Sequence, residues 1–337
     1  MSFMRIVRLP SAKEIFESSM RKAFKTTITA NRKNPLLRKK VIESERIGLI
    51  EEAITEKIGG FLKEYPSIES LPPFKKEMLK ALVDVDRLRM ALGHLNKTEK
   101  LVQKIKRECA KKMFSAKDSD WVFRARSQFI ARTDSVMERV EKSIAEINSA
   151  SVKLTEIPDL KEECINVLLA GFPNVGKTTM LKRLTGSEAK IASYPFTTKK
   201  MNLGYFEKKY ITFQVIDTPG LLDKSLRKMN NIERKTIVAL KHASHIVAFI
   251  MDPSGQCGFT TEEQMQLFNE MKKVFDKEFL VVINKADVAT KEQIDVVLSE
   301  FPEAAIDLDG TMLKQAIELC FEKNKKKFMY LDRPVKP

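Results

Sequence analysis

Residues 168–184, with the sequence LLAGFPNVGKTTMLKRL, constrain the fold of this 337-residue chain more than any other segment. An apolar run ends at Gly171, a short loop leads to Gly176, and Lys177 and Thr178 follow directly. This spacing is the pattern of a phosphate-binding loop between a strand and a helix. Its glycines let the backbone wrap closely around a diphosphate, and the loop amides and helix N-terminus donate hydrogen bonds to it. The segment therefore predicts a nucleotide-binding α/β domain.

The side chains of this loop suit distinct tasks. Lys177 is expected to reach the β- and γ-phosphates, and Thr178 is expected to ligate Mg²⁺. The whole loop is expected to bind the nucleotide, through residues Gly171, Pro173, Asn174, Val175, Gly176, Lys177, Thr178 and Thr179.

The segment QVIDTPG ends a second apolar run and continues the nucleotide-site pattern. A carboxylate at Asp217 can hold Mg²⁺ through water, with Thr218 beside it, and the amide of Gly220 can contact a γ-phosphate. Ras-like GTPases often place a glutamine directly after this glycine to orient the attacking water. Here Leu221 and Leu222 follow instead. We therefore expect a low intrinsic rate of hydrolysis.

A third motif, LVVINKAD, indicates which base is bound. It supplies Asn284, Lys285 and Asp287 at the end of another apolar run. The carboxylate of Asp287 can accept two hydrogen bonds from guanine N1–H and the N2 amino group. Adenine would leave that carboxylate unpaired, which costs binding free energy. The motif therefore predicts GTP and GDP as ligands.

A fourth segment, SYPFTTKK, lies between the first predicted helix and second predicted strand, where a Mg²⁺-sensing threonine belongs. Thr198 is our first choice for that residue and Thr197 the second. The candidate metal ligands are then Thr178, Thr198 and Asp217. The candidate catalytic residues are Lys177, Thr198 and Gly220, and the four motifs occur in the order that a GTPase requires.

Hydrophobic periodicity divides the chain into two halves. The first half predicts long helices, beginning with a capping box at Ser11 and Glu14, and including a helix of nearly 40 residues after Pro72-Pro73. The second half alternates β-rich runs with helical segments, which indicates a sheet covered on both faces. The predicted fold class is an α-helical bundle followed by an α/β P-loop GTPase (Ras-like) domain with a mostly parallel sheet. The predicted domains are a basic RNA-binding bundle (1–155), a GTPase domain (160–323) and a basic C-terminal tail (324–337).

Charge is concentrated near the N-terminus. The chain has 60 Lys and Arg against 45 Asp and Glu, and residues 1–42 alone hold 11 basic and two acidic residues. Such an imbalance predicts an anionic partner, either nucleic acid or a membrane surface; the alternative is a solvated face that aids solubility. The candidate phosphate contacts are Arg5, Arg8, Arg21, Lys22, Lys25, Arg32, Lys33, Arg38, Lys39 and Lys40.

Several classes of protein are disfavoured. No apolar run approaches the ~18 to 20 residues that span a bilayer, and the N-terminus lacks an apolar signal core. The four cysteines are widely spaced, which favours reduced thiols over a metal site or disulfides. We expect a cytoplasmic protein that is monomeric when free.

Five segments together carry a resemblance to a family: GFPNVGKT, YPFTTKKMNLGYF, QVIDTPGLLD, MDPSGQCGFTTEEQMQLF and NKAD. Over roughly residues 160–290 the chain resembles the nucleolar GTP-binding (Nog) family, a branch of the Obg-related GTPases. The resemblance implies a compact, archaeal-type member that acts in assembling the large ribosomal subunit. The implied partners are the large subunit or its precursor, its rRNA through the helical half, and other assembly factors.

The resemblance also bears on two further positions of the site. In several GTPases that lack the catalytic glutamine, the asparagine matching Asn174 helps to bind K⁺ beside the phosphates. Asn174 is therefore a further candidate catalytic residue and K⁺ a candidate cofactor, unless Asn174 only shapes the loop. The last guanine-contacting loop of the family usually contains Ser-Ala, where this chain has Asp307 and Leu308. The amide of Leu308 is the candidate contact to guanine O6.

Three functions fit these features. The first is a GTP-switched factor in large-subunit assembly. The second is a GTPase of the translation or stress-signalling type that regulates a protein partner. The third is a membrane-surface GTPase that places its basic helices on anionic lipid.

Overall fold

The computed structural model of the chain describes residues 8–161, 163–186, 190–192, 201–222 and 229–330. Within this part, the residues fall into two compact units. Residues up to Ser70 together with Val83–Thr155 form the helical unit. Leu71–Leu82 and the residues from Glu156 onward form the sheet unit.

Residues 8–161, as far as the structure describes them, contain five helices. They are α1 (Ala12–Lys25), α2 (Pro35–Glu64), α3 (Pro73–Leu82), α4 (Val85–Ser115) and α5 (Ser119–Thr155). The predicted capping box at the start of α1 is confirmed, because the Ser11 hydroxyl accepts a hydrogen bond from Glu14 N and Glu14 Oε2 accepts one from Ser11 N. All of these helices except α3 belong to the helical unit.

The core of the helical unit follows from apolar residues spaced three and four apart. Helix α2 presents Ile47, Ile50, Ile54 and Ile58 along one side, and all four are fully buried. Helices α4 and α5 contribute similarly spaced buried residues, including Leu88, Leu95, Val102, Phe129, Ile144 and Ile147. This periodicity places one stripe of each helix in a common core and leaves the charged faces to solvent.

The predicted helix of nearly 40 residues after Pro72-Pro73 requires correction. Helix α3 ends at Leu82, and Asp84 begins a new helix because its carboxylate accepts hydrogen bonds from Asp86 N and Arg87 N. An aspartate at this position competes for backbone donors and favours a helix start over a helix interior. Helix α3 then groups with the sheet unit, whereas the predicted boundary at residue 155 assigned it to the first domain.

In the described residues, the rest of the sheet unit contains seven strands and five further helices. The strands are β1 (Ile165–Ala170), β2 (Lys190–Ala192), β3 (Met201–Lys208), β4 (Ile211–Asp217), β5 (Ile246–Met251), β6 (Glu278–Ile283) and β7 (Ala305–Ile306). The helices are α6 (Lys177–Thr185), α7 (Asn231–Ala243), α8 (Thr261–Val274), α9 (Lys291–Glu300) and α10 (Thr311–Tyr330). Helix α3 packs against α7. Helix α10 runs without a break through residue 324, where the sequence placed the start of a basic tail.

The sheet is mostly parallel, in the order β2-β3-β4-β1-β5-β6-β7. Strands β4, β1, β5, β6 and β7 run parallel, while β2 and β3 pair antiparallel at one edge. Every residue of β1 and β5 is buried, as expected of central strands in a sheet covered on both faces. These observations confirm the predicted fold class.

The sheet direction decides where the functional loops lie. Strands β1, β4 and β6 end at Ala170, Asp217 and Ile283, and each is followed directly by one of the predicted motifs. Parallel strands bring their carboxyl ends to one edge of a sheet, where α/β proteins commonly bind ligands. Strand β2, with three residues on the outer edge, had not been predicted.

Candidate nucleotide-binding site

A cavity of about 600 Å³ lies at the carboxyl edge of the sheet. Eleven of the predicted site residues line it: Pro173, Asn174, Gly176, Lys177, Thr178, Thr179, Asp217, Asn284, Lys285, Asp287 and Leu308. Arg183 and Pro219 also line it and had not been predicted. Three motifs that are distant in sequence therefore face the same space.

Two glycines of the loop after β1 occupy positions that other residues could not. Gly171 has φ +132°, and a Cβ there would lie 2.4 Å from the carbonyl oxygen of Ile250. Gly176 has φ +100°, and a Cβ there would lie 2.2 Å from Nδ2 of Asn284. Asn174 also has positive φ, at +62°, a conformation that asparagine tolerates better than most residues. The loop thus depends on residue types that accept left-handed backbone.

The loop and the helix that follows it present donors to the cavity. Lys177 is buried, and its ammonium group donates to the carbonyl oxygens of Gly171 and Phe172 at 2.8 and 2.7 Å. Gly176 is the N-cap of α6 and offers no side chain to cap the first amides of that helix. The first turn of α6 therefore keeps backbone donors that suit an anion.

Asp217 forms the acidic side of the cavity. It is fully buried, and its Oδ2 accepts hydrogen bonds from Thr178 Oγ1 at 2.6 Å and from Asn202 Nδ2 at 3.0 Å. Asn202 lies opposite Asp217 in the β3–β4 register, a pairing that no local motif reveals. The second oxygen, Oδ1, is buried without a hydrogen-bond partner in the described part of the chain, as is the hydroxyl of Thr218.

The oxygen donors at this position fit Mg²⁺. That cation prefers oxygen ligands and keeps several of its waters, so it is commonly bound through one or two protein groups and substrate phosphates. The hydroxyl of Thr178 adjoins the carboxylate of Asp217, whose Oδ1 has no hydrogen-bond partner among the described residues. A hydrated cation would satisfy that oxygen.

The NKAD motif both braces the loop and faces the cavity. Asn284 donates from Nδ2 to the carbonyl oxygen of Val175 at 2.8 Å, which ties the third motif to the first. Lys285 has φ +57°, and its ammonium group pairs with Asp252 Oδ2 at 2.7 Å. Asp287 is part of the cavity wall. Asn284 thus braces the phosphate loop, Lys285 is tied to Asp252, and Asp287 can contact a base.

Asp252 supports the site although the sequence did not single it out. It is fully buried and accepts hydrogen bonds from Ser254 N and Cys257 N besides its ion pair with Lys285. Gln264 Oε1 accepts from Asp252 N at 2.8 Å. Asp252 directly follows the apolar strand β5, much as Asp217 ends the apolar strand β4. This similar position was the signal that could have identified Asp252.

The two predicted residues of the loop after β7 have different roles. Asp307 is buried and accepts hydrogen bonds from Gly310 N and Leu313 N, both at 2.7 Å, so it holds the start of α10. Leu308 is 42% exposed and lines the cavity. The backbone there is placed beside the same space as Asp287.

The other predicted residues either do not line the cavity or lie outside the described residues. Val175 is fully buried, and Gly220 has φ +84° in the turn after β4. Leu221 and Leu222 are each 1% exposed, so neither presents a polar group to the cavity. Thr197 and Thr198 lie outside the described residues.

The four cysteines and His245 are buried in the core. All four cysteines are free and buried, and burial raises the pKa of each thiol, that of Cys320 to about 11. His245 accepts a hydrogen bond at Nδ1 from Asn166 N. Among the described residues, no His, Cys, Asp and Glu side chains group as a metal site would require, and no helix has the length and apolar character of a membrane span.

Comparison with known proteins identifies relatives of both halves. The family model for the NOG1 N-terminal helical domain matches residues 3–160, and that for nucleolar GTP-binding protein 1 matches residues 231–287. An uncharacterised protein of Methanocaldococcus jannaschii is 36% identical over 77% of this chain and 73% of its own length. Nucleolar GTP-binding protein 1 of Saccharomyces cerevisiae is 30% identical over 77% of this chain and 40% of its own.

A solved structure described as a nucleolar GTP-binding protein 1 from Plasmodium falciparum is 30% identical, with a TM-score of 0.43. The match includes 52% of this chain and 95% of the Plasmodium falciparum chain. The chain spans about half the length, or less, of the curated nucleolar GTP-binding proteins that it matches. On the two family models and these relatives, the chain belongs to the nucleolar GTP-binding protein 1 family.

Proposed function

We propose that this protein is a GTP-binding and GTP-hydrolysing switch that acts in assembly of the large ribosomal subunit through contacts with rRNA. The observation that carries the nucleotide part is the convergence of three motifs on one cavity of about 600 Å³. Lys177, Asp217 and Asp287 come from separate strand ends, yet all line that cavity. The relatives' name, nucleolar GTP-binding protein 1, agrees with this choice of nucleotide.

Each group of the cavity has a role in this proposal. Lys177 and the first amides of α6 bind the β- and γ-phosphates. Asp287 accepts hydrogen bonds from guanine, and the amide of Leu308 donates to guanine O6. Thr178 and Asp217 would hold Mg²⁺, which would neutralise charge on the phosphate oxygens. Thr198 is proposed to join them when GTP is bound.

Slow intrinsic hydrolysis follows from what surrounds the γ-phosphate. The two residues after Gly220 are buried leucines, and neither can orient a water molecule. Catalysis then rests on the cation, on Lys177 and on backbone donors such as the Gly220 amide. K⁺ held near Asn174 is part of the proposal, since it would stabilise charge that develops between the β- and γ-phosphates.

The proposed rRNA contact rests on the helical unit. Its N-terminal region holds exposed cations at Arg21, Lys22, Lys25, Arg32, Lys33 and Arg38. Such a surface binds phosphates through release of counterions, without reading sequence directly. The assignment to the large subunit rests on membership of the family. We also propose a cytoplasmic location.

The experiment measures GTP turnover by the full chain alone and with purified ribosomal subunits, together with co-sedimentation. We expect slow turnover alone, co-sedimentation with large-subunit particles that depends on the bound nucleotide, and little pelleting with anionic vesicles. Pelleting with vesicles but not with subunits would favour a membrane-surface GTPase. Absence of GTP binding would contradict the nucleotide assignment itself.

A further inference from the structure

One end of the helical bundle concentrates positive charge from four helices. This bundle tip comprises residues 21–46 and 111–126, which together hold 14 Lys and Arg against four Asp and Glu. The acidic Glu43 is buried between two arginines, with Arg46 Nη1 at 2.8 Å and Arg126 Nη1 at 3.0 Å from its oxygens. Its charge is therefore neutralised internally, and the exposed surface of the tip is strongly positive.

Direct contacts hold the two segments of the tip together. Lys40 Nζ donates to the carbonyl oxygen of Phe114 at 2.8 Å, which joins the start of α2 to the end of α4. Lys39 Nζ lies 3.9 Å from the centroid of the Phe123 ring, which joins α2 to the start of α5. The basic residues predicted near the N-terminus thus share one surface with those of the α4–α5 connection.

Aromatic side chains are exposed on this same surface. Trp121 is 54% exposed, Phe114 is 52% exposed and Phe24 is 45% exposed. The exposure of Trp121 is set by helix register, because its neighbour Val122 is fully buried in the core and Phe129 follows two turns later on that inner side. Trp121 therefore points away from the core of the helical unit, on a helix whose other face is well packed.

The surroundings of Trp121 suit a nucleic acid. Arg124 lies one helical turn further on, on the same face as Trp121, and is exposed. An aromatic ring can stack on a nucleobase while nearby cations bind the adjoining phosphates. Paired bases in helical RNA hide their faces in the stack, whereas unpaired bases can be splayed onto a side chain. The density of cations favours this ligand over an apolar protein surface.

We propose that the bundle tip binds an unpaired segment of RNA, with one nucleobase stacked on Trp121 and a neighbouring phosphate on Arg124. This inference rests on the proposed RNA-binding function and narrows it to a class of RNA. The cations of the tip provide affinity for any RNA, and Trp121 provides preference for unpaired bases. Phe114 is the second exposed ring available to a neighbouring base.

Trp121 is the only tryptophan in the chain, so its fluorescence reports on this position alone. The full chain is titrated with a ten-nucleotide single-stranded RNA and with a blunt RNA duplex of matched phosphate number, at one salt concentration. We expect quenching by the single strand and little change with the duplex. Anisotropy of labelled RNA then gives affinities for Trp121→Leu, Trp121→Phe and, as a matched exposed apolar control on α4, Met90→Ala.

Trp121→Leu should weaken binding of the single strand roughly 5- to 100-fold and leave duplex binding near the parent value. Trp121→Phe should recover most of the loss, and Met90→Ala should change neither affinity. Equal effects of Trp121→Leu on both RNAs, or on neither, would overturn the stacking proposal while leaving RNA binding intact. Failure of both RNAs to bind, or quenching by anionic vesicles alone, would instead count against RNA binding by this surface.

Discussion

The two units of the chain use polar groups in opposite ways. The sheet unit buries them around one cavity, where Asp217 and Asp252 are fully buried and Asn284 is 5% exposed. The helical unit keeps its cations on the surface, and its buried Glu43 is paired with two arginines. The supporting groups of the cavity are thus buried and individually braced, whereas the cations of the helical unit are distributed over an exposed surface.

This contrast leads to different expectations for mutation. A single substitution should be enough to disable the sheet unit's site, because each buried group has partners that cannot be replaced by water. In the helical unit a single exposed charge should matter little, and only groups of charges should have a measurable effect. The following predictions test this contrast, from the largest expected effect to the smallest.

Gly176→Ala should have the largest effect. The added Cβ would lie 2.2 Å from Asn284 Nδ2 and would require φ near +100°. We expect GTP affinity to fall by about 100-fold or more, because both backbone strain and a lost brace act on the phosphate loop. Titration with a fluorescent GTP analogue measures it.

The matched control lies at the other end of the same helix. Gly186 has φ +61°, and a Cβ there would meet no atom of the described residues within 4 Å, so Gly186→Ala brings strain without a steric clash from them. Its GTP affinity should remain near the parent value. Equal losses in the two variants would show that the phosphate loop is not specially constrained.

Asp252→Asn tests whether the buried ion pair with Lys285 supports the site. Removing the carboxylate leaves Lys285, which is 24% exposed, without its counter-charge, so the sheet unit should lose about 2 kcal/mol of stability. The urea midpoint for release of fluorescent GDP measures this loss. Glu278→Gln, which removes the more exposed pair with Lys327, should cost less than about 1 kcal/mol. Similar costs for both variants would remove Asp252 from the supporting network.

Neutralising Arg32, Lys33 and Arg38 together to Gln should weaken RNA binding gradually. These three are exposed, whereas Lys39 and Lys40 also hold the bundle tip together. The slope of log affinity against log salt should become shallower by about 2–3. The variant neutralises fewer phosphates, so fewer counterions are released when it binds. GTP affinity should be unchanged.

The control for this triple variant uses three exposed lysines of α10, changed to Gln: Lys323, Lys325 and Lys326. The charge removed is the same, but it lies in the other unit. An equal reduction of the salt slope in both triple variants would mean that RNA senses only net charge.

The potassium response should be the smallest effect. Turnover in KCl should exceed turnover in NaCl at equal ionic strength if K⁺ is held near Asn174. Asn174→Gly removes the side chain while keeping a backbone with φ +62° accessible, so it should reduce the ratio of the two rates toward one. A ratio near one in the parent, or an unchanged ratio in the variant, would eliminate K⁺ from the proposal.

The sequence predicted the sheet unit's site well where the relevant information is local. Lys177, Asp217 and Asp287 each follow an apolar strand at fixed spacing, and parallel strands must bring such ends together. The hydrogen bond from Asn202 to Asp217 was not predictable in that way, because it depends on the register of two antiparallel strands. Asp252 was missed because its partner, Lys285, is 33 positions away.

In the helical unit, the sequence predicted the helices but not the surface that they form together. Periodicity identified its helices, yet the break at Asp84 was missed because the apolar pattern continues on both sides of it. The N-terminal charge was visible in composition, but its union with Trp121 and Phe114 depends on how four helices pack. Surfaces assembled from distant segments are therefore the part that a single sequence leaves undetermined.

The central claim is that the cavity of the sheet unit selects guanine through one carboxylate, that of Asp287. Calorimetric titration of the full chain and of Asp287→Asn with GTP, ATP and xanthosine triphosphate tests it most directly. We expect tight GTP binding by the parent. In the variant we expect a large loss of GTP affinity and a gain for xanthosine triphosphate, whose C2 carbonyl accepts a hydrogen bond from the Asn amide. GTP affinity of the variant within a few-fold of the parent would contradict it.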